Sequence, residues 1–122
     1  GHPFGDEVLE RAASILGSGR SPDVACRYGG EEFALIAPGT DLKETMEVAD
    51  RHRVRIAEIE WPDRPGVRIS ASFGVADLTC VSGTPTPEKL IAAADQALYE
   101  AKKAGRDQVV AANRQVWPRA AG

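Results

Sequence analysis

Gly29-Gly30 lies between two apolar runs, Val24 to Tyr28 and Phe33 to Ala37. No other feature limits the folding of this chain as much. Two strand-forming runs around a glycine pair predict a tight antiparallel hairpin, because a type I′ turn needs positive φ at both central positions. Glu31 and Glu32 follow at once, at the turn end of the second strand. A corner without side chains lets a ligand's phosphates come close, and neighbouring carboxylates can hold a hard cation against them. The same residues also suit an ordinary solvated turn, and by themselves they leave both readings open.

Around the hairpin the sequence alternates helical and strand patterns. Val8, Leu9, Ala12, Ala13, Ile15 and Leu16 give a helix over 6–16 its apolar face, and Gly17-Ser18-Gly19 stops it. A second helix is predicted over 41–59, with Leu42, Met46, Ala49, Ile56 and Ile59 at helical spacing. Asp41 with Glu44 can form its capping box, and Thr40 competes as N-cap. Trp61 to Gly66 reads as a loop. Val67, Ile69, Ala71 and Phe73 alternate with polar residues, which predicts a strand reaching as far as Ala76. Thr86 caps a third helix with Pro87 at its first position. Leu90, Ile91, Ala94, Ala97, Leu98 and Ala101 face the core, and Gly105 ends this helix. Residues 108–112 form a last strand. The stretch 113–122 has no periodicity, and Trp117 within it is either an edge contact or exposed. This order predicts an α/β sandwich: a mixed, mainly antiparallel central sheet flanked by helices. It divides as one domain over 1–112 and a C-terminal tail over 113–122.

Composition narrows the function. The chain has 122 residues, within the range of one domain. Its formal charge is −3 and its pI about 5.4, so no general basic field exists and nucleic acid is not an expected partner. There is no run of about twenty apolar residues and no basic-then-apolar leader, so membrane contact by this domain is not expected and the setting reads as cytoplasmic. Cys26 and Cys80 make neither a metal spacing nor a redox pair, and Cys26 reads as a buried small hydrophobe.

Taken together, the motifs resemble the GGDEF family, the diguanylate cyclase domains, over almost the whole chain. Gly29-Gly30-Glu31-Glu32-Phe33 is the signature in its Gly-Gly-Glu-Glu-Phe form. Gly1-His2 and Gly5-Asp6 are similar to the Gly-His-x-x-Gly-Asp segment. Ser72-Phe73-Gly74-Val75-Ala76 resembles the family's Ser-x-Gly-(Val/Ile)-Ala strand. Ala94 to Asp107 resembles its last helix, with the pattern Ala-Asp-x-Ala-Leu-Tyr-x-Ala-Lys-x-x-Gly-Arg. Each motif alone is weak, and their shared order is what carries the resemblance.

The resemblance implies a nucleotide-cyclase-like fold and the joining of two GTP molecules into cyclic di-GMP by a homodimer with Mg²⁺ or Mn²⁺. It makes Glu31 the metal ligand and general base, and Glu32 the neighbouring signature acid. Gly29 and Gly30 would let the triphosphate lie against backbone. Asp6 would accept from the guanine edge, and His2 would lie near substrate. Lys102 and Arg106, four apart, would present phosphate-binding groups on one helical face. Without the resemblance, Lys102 and Arg106 simply suit a helix C-terminus, and Asp6 a helix N-terminus. Arg20-Ser21-Pro22-Asp23 matches the Arg-x-x-Asp product-inhibition motif, with Arg51 as its secondary arginine. An arginine can fork phosphate or stack on guanine there, although the pattern also fits a surface ion pair.

The chain departs from the family at its start. The family's first strand and helix, with an Asp-x-Asp-x-Phe-Lys metal segment and an Asn that contacts guanine, have no counterpart and would precede Gly1. Two expectations follow: this segment alone has little activity, and a sheet without its central strand tends to pair with another chain. A sensory or receiver module is expected upstream in the parent protein, which is itself sometimes membrane-anchored. A non-catalytic sensor of cyclic di-GMP or GTP is the alternative, and a ligand-free regulatory or dimerisation segment is a third reading.

Overall fold

The computed structural model describes residues 3–18, 24–27, 33–36, 39–114 and 116–118. Helix α1 (Pro3–Gly17) leads into a hairpin, β1 (Val24–Arg27) and β2 (Phe33–Ile36). Helix α2 (Leu42–Ala57) follows, then β3 (Phe73–Val75) and a 3-10 turn at Leu78–Cys80. Helix α3 (Pro87–Lys103) connects to β4 (Val109–Ala111) and β5 (Val116–Trp117). The order matches the sequence reading, with the 3-10 turn and β5 added.

The caps behave as their side chains dictate. Asp41 Oδ1 accepts from the Glu44 amide at 2.8 Å, so Asp41, not Thr40, is the N-cap of α2. Thr86 Oγ1 accepts from the Lys89 amide at 3.1 Å, with Pro87 inside the first turn of α3. α1 starts at Pro3, three residues before the expected Asp6, since proline suits the first helical turn, where its missing N–H costs nothing.

β3 pairs with β4 in parallel, and β4 with β5 antiparallel. The strand period of two then sorts β4 between two helices. Val109 and Ala111 pack with Leu42, Met46 and Ala49 of α2, and Val75 joins them. Val110, on the other face, packs with Ala97 and Ala101 of α3. Gly74 makes the α3 contact possible: a Cβ there would overlap the Ala94 carbonyl oxygen and the Leu98 amide nitrogen, and lie 2.8 Å from Leu98 Cα. Ser18 ties α1 to α2 by donating to the Ile15 carbonyl and accepting from Arg55 Nη1 at 3.1 Å.

Several expectations change. The strand predicted from Val67 is limited to Phe73–Val75, because β4 offers partners to only those residues, and Val67 is exposed. Ile91 is exposed, so the core-facing stripe of α3 is narrower than its apolar content. Ala13 of α1 is exposed for the same reason. Trp61 lies in a loop as expected, yet it is 4% exposed and belongs to the interior. Its ring meets Phe4 edge-on at 5.2 Å, and the Arg11 guanidinium lies 5.8 Å from its centroid. β5 occupies part of the aperiodic stretch, where Trp117 pairs with Val109 and packs against the core as an edge contact.

Candidate functional site

The signature hairpin is a real antiparallel ladder, running from Val24↔Ile36 to Arg27↔Phe33. Its register corrects one detail. A two-residue Gly29-Gly30 turn would pair Arg27 with Glu32, whereas Arg27 pairs with Phe33. That register does not fit a two-residue turn at Gly29-Gly30, and residues 28–32 themselves lie outside the described residues. A one-residue offset also exchanges the two faces of a strand, so the difference decides which side chains point together.

Gly29, Gly30, Glu31 and Glu32 lie outside the described residues, as do His2, Arg20, Asp23 and the side chain of Cys26. Three of the expected site residues other than Arg106 are described. Asp6 is exposed in the first turn of α1, where a carboxylate suits the helix dipole. Arg51 is exposed on α2. Lys102 sits half-buried in the last turn of α3.

Arg106 does not share a helical face with Lys102, which corrects the sequence reading. α3 ends at Lys103, and the chain then turns left-handed. The Arg106 amide donates to the Ala101 carbonyl at 2.9 Å and the Gly105 amide to Lys102 at 3.4 Å, the paired bonds of a Schellman C-cap. Gly105 has φ 120°, Arg106 65° and Asp107 49°. For the two residues with side chains such a conformation costs about 1–2 kcal/mol each. Lys102 and Arg106 thus flank one helix end, with Arg106 exposed just beyond it.

Sequence reasoning missed what holds this turn. The Asp107 amide donates to Ser72 Oγ at 3.0 Å, and its carboxylate accepts from Arg53 Nη1 at 3.1 Å. Arg53 Nε also donates to Asp50 Oδ1 at 2.8 Å, and its side chain is only 12% exposed. Burial works against the Arg53 charge, but hydrogen bonds and proximity to Asp50 and Asp107 keep its pKa above the ordinary value. Asp50 and Arg53, three apart on one helix, are a readable pair; Asp107 is 54 positions away and is not. Asp77, which caps the 3-10 turn, has its pKa lowered mainly by the Thr79 hydroxyl.

Among the described residues no three histidine, cysteine, aspartate or glutamate side chains converge as a metal site. A shallow cleft lined by Phe4, Glu7, Trp61 and Arg64 contains none of the expected site residues. No helix among the described residues is long and apolar enough to cross a membrane.

An antiparallel hairpin followed by a mixed sheet between two helices defines a nucleotide-cyclase-like α/β domain. The family described as diguanylate cyclase, GGDEF domain, matches residues 1–108, and the chain belongs to it. Response regulator PleD of Caulobacter vibrioides is 40% identical over 114 residues, covering 90% of this chain and 25% of the relative. Diguanylate cyclase DgcM of Escherichia coli is 40% identical over 113 residues, covering 92% and 26%. The chain thus spans about a quarter of the length of these relatives. The active GGEEF domain of a diguanylate cyclase from Vibrio cholerae superposes with TM-score 0.82 at 32% identity, covering 94% of this chain and 72% of that one. The GGDEF domain of DgcB from Caulobacter crescentus, in complex with c-di-GMP, gives 0.80 at 31%, covering 93% and 67%.

Proposed function

We propose that this chain is the GTP-condensing part of a diguanylate cyclase. Two GTP-loaded copies face each other as a homodimer. The 3′-hydroxyl of each GTP attacks the α-phosphorus of the other; a new P–O bond forms, the α–β bridge breaks and pyrophosphate leaves. Glu31 takes the hydroxyl proton; with the substrate phosphates it would also hold Mg²⁺ or Mn²⁺, which would supply charge stabilisation there. Glu32 supports that acidic site. Gly29 and Gly30 admit the triphosphate, Asp6 accepts from guanine, His2 lies near substrate, and Lys102 and Arg106 meet phosphate. Arg20, Asp23 and Arg51 bind the product and restrain the enzyme, a reading supported by the c-di-GMP complex of the DgcB domain. A relative named as a response regulator favours an upstream receiver or sensory module and a cytoplasmic setting.

The observation that carries this reading is the intact Gly-Gly-Glu-Glu-Phe signature joining β1 and β2 in a chain of this family. Segment 1–122 assayed alone is expected to turn over poorly. Pyrophosphate release and cyclic di-GMP formation from GTP and Mg²⁺ test the proposal in the full-length protein. Glu31→Gln is expected to lower the rate by about 10²–10⁴-fold, the usual contribution of a general base. Unchanged turnover in that variant, or a product other than cyclic di-GMP, would overturn the assignment.

A further inference from the structure

We propose that Arg53 is a positioning residue: by clasping Asp107 it holds the left-handed turn after α3 so that Arg106 is set for a substrate phosphate. The inference rests on the reading of Arg106 as a phosphate-binding group. Its starting point is the run of positive φ at Gly105, Arg106 and Asp107. Only the first is glycine. The C-cap hydrogen bonds account for Gly105 and Arg106 as far as the Arg106 amide. They leave Asp107 unexplained, and a chain leaving Arg106 would otherwise relax toward ordinary backbone.

Two groups from elsewhere in the fold hold Asp107. Ser72 Oγ, just before β3, accepts from its amide at 3.0 Å. Arg53 Nη1, from α2, donates to its carboxylate at 3.1 Å. Arg53 is itself fixed, since it is largely buried and its Nε donates to Asp50 at 2.8 Å. A guanidinium anchored at one end and bonded at the other is a rigid strut, because its donors lie in one plane. The strut ends one residue from Arg106. The Arg106 side chain is exposed, and its guanidinium makes no hydrogen bond to another described residue. A group meant for an absent anion needs its backbone fixed by others, and Arg53 does this across the fold.

Binding measurements on the full-length protein, with a non-hydrolysable GTP analogue and with guanosine as probes, separate positioning from simple stabilisation. Arg53→Ala and Asp107→Asn are expected to weaken the analogue roughly tenfold, the scale of one charged hydrogen bond, with guanosine affinity unchanged. The double variant is expected to lose no more than Arg53→Ala alone, because Asp107→Asn takes the charge from the same contact that Arg53→Ala removes. KM for GTP is expected to rise by the same factor. If Arg106→Ala lowers the preference for the analogue over guanosine but Arg53→Ala and Asp107→Asn leave it unchanged, the clasp has no positioning role. If Arg106→Ala itself keeps that preference, the reading of Arg106 fails and the clasp's role with it. Should Arg53→Ala not fold, Asp107→Asn decides alone, since it keeps the amide bond to Ser72 and a side chain tolerant of positive φ.

Discussion

Gly74 and Gly17 show how differently one residue type can be constrained. At Gly74 a Cβ would run into the backbone of α3, which cannot move aside as a flexible side chain could. Gly17 ends α1 with nothing within 4 Å of an added Cβ and no positive φ. Gly74→Ala is therefore expected to cost about 3 kcal/mol or more, at the upper end for overpacking. Gly17→Ala is expected to be neutral or stabilising by up to about 1 kcal/mol. Urea denaturation of both variants checks the contrast, and equal effects would contradict the α3–β3 packing. The sequence marks both residues as glycine and cannot distinguish them, because the decisive atoms come from a helix about twenty positions later in the case of Gly74.

Among elements, the helices were the most legible. Thr86 and Pro87 announce the start of α3, and Asp41 that of α2, because capping is local chemistry between residues three apart. Thr86→Ala is expected to destabilise by about 1 kcal/mol, the typical value of a lost N-cap, with the Lys89 amide left without its side-chain acceptor. A melting temperature equal to that of the parent would remove the cap from the account. Strand limits were less legible. Residues 67–72 alternate as a strand should, yet no ladder takes them up, since a strand exists only where a partner does. β5 shows the converse, with two residues of an aperiodic stretch drawn into pairing by β4. The offset in the β1–β2 register was equally hidden, because a glycine pair specifies that the chain turns and leaves the number of residues in the turn to the pairing on either side.

For the whole molecule, the described strands form two separate ladders, β1–β2 and β3–β4–β5. The outer edges of β2 and β3 have no strand partner among the described residues, and an open edge is a template for another chain. Segment 1–122 is accordingly expected to self-associate, with a sedimentation coefficient that rises with concentration. A constant monomer value would show those edges to be covered. The sequence by itself determined the family, the order of the main helices and strands, the cap of α3 and the residue types of the candidate site, because these rest on short motifs and on neighbours a few positions apart. Only the tertiary structure decided that Trp61 is interior, that Arg106 leaves its helix in a left-handed turn, and that Arg53 reaches Asp107. Those outcomes depend on which distant surfaces meet, and no local pattern encodes the distance between Arg53 and Asp107 before α2 and α3 close on opposite faces of β4.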